Sequence, residues 1–363
     1  MARFTFVLPQ LSLNGGIRVV ASYGAELLRL GHDVHFVARR TPPARLRDVL
    51  RGRTGLSFGG TGPLDFFRGM EDKVRFLPAR GPLRAADLPD ADFLIATWWE
   101  TVEWVAPLPA SKGRQVHLMQ GYEMFDWLDA DRVAATYEAD LTRIAVSGWI
   151  ARQVEAHHGT RSAAVIPNAV DTDHFAYRPE TGNAVLKLGF VYSSPKFKNA
   201  ALVFDLKQRL AARGQKVDFL CFSAEDDTRV LAGHPNIAVH HRPDQSLIPT
   251  LYQSCDLWLF PSIEEGFGLP ILEALSCGTP VISSKAGAGP DLIETGRNGY
   301  LCDADAAQFA DAVAQFSRLD PVAQLAMRAA ARRTAERHTW TEVAGTFLTA
   351  LGVDAATASV SRA

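Results

Sequence analysis

Apolar positions along the chain follow two periods in turn. Phe4 to Leu8 is a short run rich in β-formers, and Asn14-Gly15-Gly16 breaks it. Ile17, Val20, Ala21, Gly24, Leu27 and Leu28 then recur at helical spacing, with Gly31 where a helix C-cap belongs. Val34 to Ala38 resumes as a strand. Strand, helix and strand in that order predict a parallel, doubly wound sheet, so the fold class is α/β. Further strands are predicted at Val74–Leu77, Asp92–Thr97, Gln115–Met119, Arg143–Val146 and Ala163–Ile166. The stretch from Arg39 to Gly62, rich in Arg, Pro and Gly, predicts a loop with a short helix.

A second alternating series begins after Ile166–Phe175 (IPNAVDTDHF), which predicts a hinge close behind the last strand of the first half. Leu186–Tyr192 reads as a strand, and Lys198 to Arg213 as a helix with Leu202, Val203, Leu206 and Leu210 on its apolar face. Strands follow at Val217–Phe222, Ala238–His240, Asp256–Phe260 and Pro280–Ser283, with a helix from Leu269 to Cys277. The expected domains are residues 1–168 and 169–338. A terminal helix at about 339–352 is expected to return to the first domain, and a frayed tail to occupy 353–363.

The chain length of 363 residues supports this division, because a single core seldom grows so large. A net charge of -2 gives no global reason to expect nucleic acid as a partner. The four cysteines lie far apart without a CxxC pair, which argues against a zinc site or a disulfide framework. The N-terminus lacks the long apolar stretch of a signal peptide, and no run is long enough to span a membrane. A cytoplasmic protein is expected.

The segment richest in candidate chemistry is Pro261 to Val281, PSIEEGFGLPILEALSCGTPV. A buried strand ends at Phe260, so the following loop emerges at the carboxyl edge of the sheet, where open α/β sheets bind ligands. Gly266 and Gly268 allow close approach of backbone to ligand. The helix opening near Leu269, with Pro270 in its first turn, offers free N–H groups to phosphate or sugar oxygens. Glu265 stands in the loop and Glu273 about one turn into the helix. A carboxylate beside a diphosphate is repelled, so Glu273 suits neutral hydroxyls such as a ribose diol. A solvated acidic face is the competing reading of both glutamates.

At these residues the chain resembles glycosyltransferase family 4, retaining enzymes of the GT-B fold marked by two glutamates with seven residues between them. Glu265-GFGLPIL-Glu273 carries that pattern, followed by ALSCGTPVI. NGGIRVV, VSGWI, IPNAVDTDHF, Lys198-Asn199 and TGRNGYL stand in the expected order. The resemblance implies two Rossmann-like domains facing across a cleft, with a nucleotide-sugar donor as co-substrate and no required metal or other cofactor. It implies that Glu273 holds the ribose hydroxyls and that Glu265 contacts the donor sugar. Lys198 would neutralise the leaving diphosphate. Gly266 and the amides of Phe267, Gly268 and Leu269 would bind sugar or phosphate oxygens, with Ser193 and Asn168 also on the donor side. Gly15 and Gly16 would close over the diphosphate from the other domain. The implied reaction retains the anomeric configuration, and the leaving phosphate helps deprotonate the acceptor hydroxyl. Nothing in the sequence supplies the paired carboxyls of a double-displacement route through Glu265.

Two positions depart from the family pattern. Ser193 stands where an arginine is common, removing a positive charge unless Arg18 or Lys196 supplies it. Gln120 stands where many relatives have histidine, and His117 is read as a core or supporting residue. Gln120-Gly121-Tyr122-Glu123 resembles a subgroup of rhamnosyl and polysaccharide transferases, which implies a saccharide or lipid-linked acceptor near Gln120, Glu123, Trp98 and Trp99. One of the two tryptophans is expected in the cleft, because neighbouring side chains at a strand end point to opposite faces. Arg39, Arg40, Arg45, Arg47, Arg51 and Arg53 form a basic cluster for possible contact with an anionic membrane, a solvated loop being the plainer reading. The Asp-x-Asp triplets at Asp129, Asp171 and Asp303 do not end core strands beside a nucleotide pocket, so no metal is expected. A nicotinamide enzyme is disfavoured because G-x-G-x-x-G is missing after the first strand. A non-catalytic nucleotide-sugar binding subunit and a GT-B sugar-nucleotide epimerase are the alternatives.

Overall fold

The structure, a computed structural model, describes residues 1–12, 14–40, 64–179, 183–225, 229–234 and 236–353. The loop and short helix expected up to Gly62 lie outside the described residues from position 41. The expected tail lies outside them from position 354. The chain forms two compact units. The first comprises Met1–Ala145, Gln153–Ile166 and Ala344–Ala363, the second Val146–Arg152 and Pro167–Val343.

The first unit holds a seven-stranded sheet in which every neighbouring pair is parallel. Its strands are β1 (Arg3–Gln10), β2 (Asp33–Arg39), β3 (Val74–Leu77), β4 (Phe93–Ala96), β5 (Arg114–Met119), β6 (Thr142–Ala145) and β7 (Ala164–Val165), ordered β3-β2-β1-β4-β5-β6-β7. The helices α1 (Gly15–Arg29), α2 (Trp99–Val105), α3 (Ala130–Glu138) and α4 (Gly148–His158) follow β1, β4, β5 and β6. A parallel sheet with both faces covered needs continuously apolar strands, and Phe4, Phe6, Val7 and Leu8 of β1 are all buried. Helix α1 lies close on β2 because Gly24 has no side chain: a Cβ there would sit 2.1 Å from Phe36 Cζ.

The second unit holds a six-stranded sheet, again parallel at each described pairing. Its strands are β8 (Leu186–Val191), β9 (Val217–Ser223), β10 (Ile237–His241), β11 (Leu257–Phe260), β12 (Val281–Ser284) and β13 (Gly299–Cys302), ordered β10-β9-β8-β11-β12-β13. Its helices are α5 (Ala200–Ala212), α6 (Arg229–Ala232), α7 (Ile248–Gln253), α8 (Leu269–Ser276), α9 (Gly289–Leu292), α10 (Ala306–Ser317) and α11 (Pro321–Ala335). Leu202, Val203, Leu206 and Leu210 of α5 share one core with Phe309, Val313 and Phe316 of α10 and with Leu188 and Phe190 of β8. The last helix, α12 (Trp340–Ala350), places Phe347 against Tyr23 at 5.0 Å and Phe4 at 6.5 Å in the first unit.

Three local expectations are corrected. Lys198 does not open α5. It ends a single 3-10 turn, Lys196–Lys198, and Asn199 adopts a left-handed φ of 54° before the helix begins at Ala200. Trp98 and Trp99 do not alternate along a strand, because β4 stops at Ala96 and Trp99 is the first residue of α2. Gly299–Cys302 is a strand that the sequence pattern did not distinguish, since four residues with a glycine carry little periodicity. The third Asp-x-Asp triplet therefore does follow a strand, although β13 is the sheet's edge. No helix among the described residues is long and apolar enough to cross a membrane.

Candidate active site

In the second sheet β9 and β10 follow β8 outward on one side, and the chain then crosses back to place β11 on the other side of β8. Such a switch point opens a crevice at the carboxyl ends of the two strands. The loops that emerge there, Tyr192–Asn199 after β8 and Pro261–Gly268 after β11, are laced together. Ile263 N donates to Phe197 O at 2.7 Å, and Asn199 Nδ2 donates to Pro261 O at 3.2 Å. The Lys198 ammonium is hydrogen-bonded and ion-paired with the Glu265 carboxylate, with side chains 30% and 18% exposed, so both stay within reach of solvent and ligand.

The loop's shape follows from Gly268. Its φ of +88° is left-handed, and a Cβ would stand 2.6 Å from Phe260 Cζ. The turn brings Leu269 directly to the first position of α8, whose N-terminus has no side-chain cap among the described residues. Pro270 has no N–H and Ile271 N donates to Gly268 O at 2.9 Å, so the Leu269 N–H and the positive dipole end are what the helix offers to the crevice. Phe267 is buried, and its carbonyl accepts from Ala288 N at 2.8 Å. Gly266 O accepts from Ser147 Oγ at 2.6 Å. One turn into α8, Glu273 is buried, and its Oε2 accepts from the Tyr252 hydroxyl at 2.8 Å.

Ser193 carries a carboxylate rather than a cation. Its Oγ donates to Glu225 Oε1 at 2.8 Å, and Ser194 N donates to the same oxygen at 2.7 Å. Asn168 is buried, and its Oδ1 has no hydrogen-bond partner among the described residues. A buried polar atom left so is uncommon in folded proteins.

The first unit has its own opening at the carboxyl ends of β1, β2 and β4. A cavity of about 860 Å³ there is lined by Asn14, Arg39, Arg80, Trp98, Glu100 and Trp104, among others. Asn14 caps α1, accepting from Ile17 N at 2.9 Å. Gly15 is exposed, and a Cβ on Gly16 would meet only ordinary contacts, Asn14 Oδ1 at 3.4 Å and Gln120 Oε1 at 3.5 Å. Gln120 Oε1 is buried and unpaired among the described residues.

Residues 13–174 match the family described as Glycosyltransferase Family 4, and residues 185–318 match Glycosyl transferases group 1. The chain belongs to glycosyltransferase family 4. The phosphatidyl-myo-inositol mannosyltransferase of Mycolicibacterium smegmatis is 28% identical over 325 residues, 84% of this chain and 81% of that protein. The D-inositol 3-phosphate glycosyltransferase of Corynebacterium jeikeium is 36% identical over 100 residues, 27% of this chain and 23% of its own length. Among solved structures, Anabaena Alr3699/HepE in complex with UDP-glucose has a TM-score of 0.73 at 16% identity, covering 97% of this chain and 100% of that one. That likeness shows the fold, two parallel-sheet units of the GT-B kind.

This family 4 glycosyltransferase differs from what the sequence suggested at the residues expected on the acceptor side. Trp98 lines the cavity, but Trp99 is buried under the Arg132 guanidinium, 5.0 Å from the ring centroid. Glu123 is buried too. Its Oε2 accepts from Trp99 N at 2.7 Å, and its own N–H donates to Tyr137 Oη at 2.7 Å. Glu123 thus positions the start of α2. Burial pushes its carboxyl well above the ordinary range, with the Trp99 N–H acting in the opposite sense. His117 is buried with both ring nitrogens unpaired among the described residues, and burial with Arg143 nearby pushes it down to about 3. Arg39 is buried as well. Its guanidinium donates to Pro78 O at 3.2 Å and Gly81 O at 2.5 Å and lies 4.3 Å from the Trp104 ring centroid. That removes it from a membrane-facing cluster. Arg40 is exposed, while Arg45, Arg47, Arg51 and Arg53 lie outside the described residues.

Four supporting residues escaped the sequence reading: Tyr252, Glu225, Ser147 and Arg132. Only Ser147 left a signal, as part of VSGWI. The Asp-x-Asp triplets have local structural tasks. Asp129 caps α3, Asp171 Oδ1 accepts from Asp173 N and His174 N, and Asp305 caps α10. Among the described residues no three His, Cys, Asp or Glu side chains converge as a metal set.

Proposed function

We propose that the chain transfers a sugar, with retention, from a nucleoside diphosphate sugar to a hydroxyl of a saccharide or lipid-linked acceptor, as in surface polysaccharide or glycoconjugate synthesis. The observation that carries the reading is the Lys198–Glu265 pair at the β8/β11 switch point, with Glu273 one turn beyond on α8. Glu273, braced by Tyr252, accepts the ribose hydroxyls. The open N-terminus of α8 and the Gly266–Gly268 backbone receive sugar or phosphate oxygens. Lys198 stands ready to shift from Glu265 to the diphosphate as charge develops on it.

In the reaction the bond between the anomeric carbon and the diphosphate oxygen breaks. The acceptor oxygen bonds to that carbon from the same face. The acceptor proton passes to the departing phosphate, so no enzyme carboxyl forms a covalent intermediate. A divalent metal is not required in this scheme, the cation of Lys198 serving the leaving group. The relatives named phosphatidyl-myo-inositol mannosyltransferase favour lipid-linked acceptors as the first to try.

The test is to incubate the chain with a panel of nucleoside diphosphate sugars and phosphatidylinositol vesicles or oligosaccharides, with EDTA or magnesium. The anomeric proton of the product is then read by NMR. Transfer with the donor's configuration in EDTA is expected, and an inverted product overturns retention. A second reading, a non-catalytic nucleotide-sugar binding subunit, draws on Gln120 and on Ser193, which stands where the family often has arginine and is bonded to the Glu225 carboxylate. Donor binding with neither transfer nor hydrolysis would favour it.

A further inference from the structure

Trp127 is 69% exposed, a costly placement for the largest apolar side chain. Isolated apolar residues on a surface are common and need no special cause. Trp127, however, is not isolated. Its ring lies parallel to that of Phe125, with centroids 4.6 Å apart and an interplanar angle of 4°. Phe125 in turn stacks on Trp98 at 6.4 Å and 23°. Trp98 lines the 860 Å³ cavity of the first unit, so a column of three rings runs from the cavity to the surface. The backbone beneath is fixed by turns: Phe125 N donates to Glu123 O at 2.9 Å, and Leu128 N to Phe125 O at 2.9 Å. One face of the indole is covered by Phe125, and much of the remainder meets solvent.

The charge around this ring selects its occupant. Asp126, Asp129 and Asp131, all within four residues of it in the chain, are exposed. The neighbouring cation, Arg132, is tied to Glu103 through contacts of 2.9 Å and 2.6 Å. An acidic surround repels an anionic membrane surface and an anionic glycan. It suits a neutral sugar, whose C–H face stacks on an indole while its hydroxyls donate to carboxylates. We propose that Trp127, flanked by Asp126 and Asp129, is a subsite for a distal residue of a neutral saccharide chain whose reacting end enters the Trp98 cavity. The inference rests on the reading of the first unit as the acceptor side, and it deepens that reading by requiring an acceptor of at least two sugar units.

The experiment uses the full chain on an array of neutral gluco- and manno-oligosaccharides of one to four units, beside sedimentation with phosphatidylglycerol vesicles. The expected result is binding that strengthens from one unit to two or more. Trp127→Ala abolishes that step, about fivefold or more, and leaves monosaccharide binding and stabilisation by nucleoside diphosphates unchanged. Trp127→Phe, which keeps a ring, restores part of the step. Length-independent binding by the wild type overturns the subsite, as does an unchanged step in Trp127→Ala. Loss of vesicle binding alone in that variant would make Trp127 a membrane contact instead. A chain that no nucleoside diphosphate stabilises fails as a transferase, which is a separate outcome from loss of the subsite.

Discussion

The Lys198 ammonium and the Glu265 carboxylate pair across the loops that follow β8 and β11, two strands adjacent in the sheet. Each group thereby holds the other until a ligand competes. Because both side chains are partly exposed, the pair contributes little to stability, about 0–1 kcal/mol. In the proposed function its position at the switch point gives it a much larger value to the reaction. Lys198→Ala is expected to lower kcat by about a hundredfold or more, with an unfolding midpoint close to wild type. Steady-state kinetics beside urea unfolding check this, and equal turnover would place the neutralising charge elsewhere.

Glu273 and Tyr252 offer a graded test. Glu273→Ala should weaken nucleoside diphosphate binding by about 1–3 kcal/mol, the scale of lost hydrogen bonds to a charged group. Tyr252→Phe removes only the brace at 2.8 Å and should cost less. Isothermal titration of both variants decides, and unchanged affinity in Glu273→Ala would remove that residue from the ribose role.

Two glycines should separate folding from ligand approach. Gly268→Ala forces a side chain onto a φ of +88° and within 2.6 Å of Phe260, so thermal stability should fall by about 1–3 kcal/mol. Gly16→Ala meets only contacts of 3.4 Å or more. It should keep the wild-type melting temperature while losing transfer. A Gly16→Ala protein with full activity would contradict the role implied for the loop opening α1.

The buried pair His117 and Glu123 predicts opposing pH slopes. His117 falls from its ordinary 6.5 to about 3 in the folded state, so the unfolded chain takes up the proton first. Its contribution is full above pH 6.5 and is lost as pH falls toward 3, at up to about 1.4 kcal/mol per pH unit. Glu123 is raised above its ordinary 4.5, so its contribution is full below that value and is lost as pH rises. Urea unfolding between pH 6.5 and 4.5 should show stability rising on acidification, relative to wild type, for His117→Phe and a steeper acid loss for Glu123→Gln. Identical slopes in all three proteins would refute this assignment.

Much of the candidate site was legible because its parts are neighbours in sequence. A buried strand ending at Phe260, glycines at 266 and 268, and a glutamate one helical turn on all lie within fourteen residues. The two strand series were equally legible from their apolar runs. What the sequence could not show depends on contacts between distant segments. Glu225 meets Ser193 from 32 positions away, and Ser147 reaches Gly266 from 119. The burial of Glu123 and Trp99 follows from the packing of α2 against α3, neither of which was foreseen. Trp98 could be assigned to the cavity only once the strand was seen to stop at Ala96.

The most direct test of the donor site is a thermal-shift panel of UDP, GDP, dTDP, ADP and NAD, each with EDTA and with magnesium, on wild type and Glu273→Ala. A ligand at about a hundred times its Kd adds about 2.7 kcal/mol of stability, enough to move Tm visibly. A nucleoside diphosphate is expected to raise the wild-type Tm equally with and without metal, and Glu273→Ala to lose most of the shift. A shift with NAD alone, or no shift with any nucleotide, would contradict it.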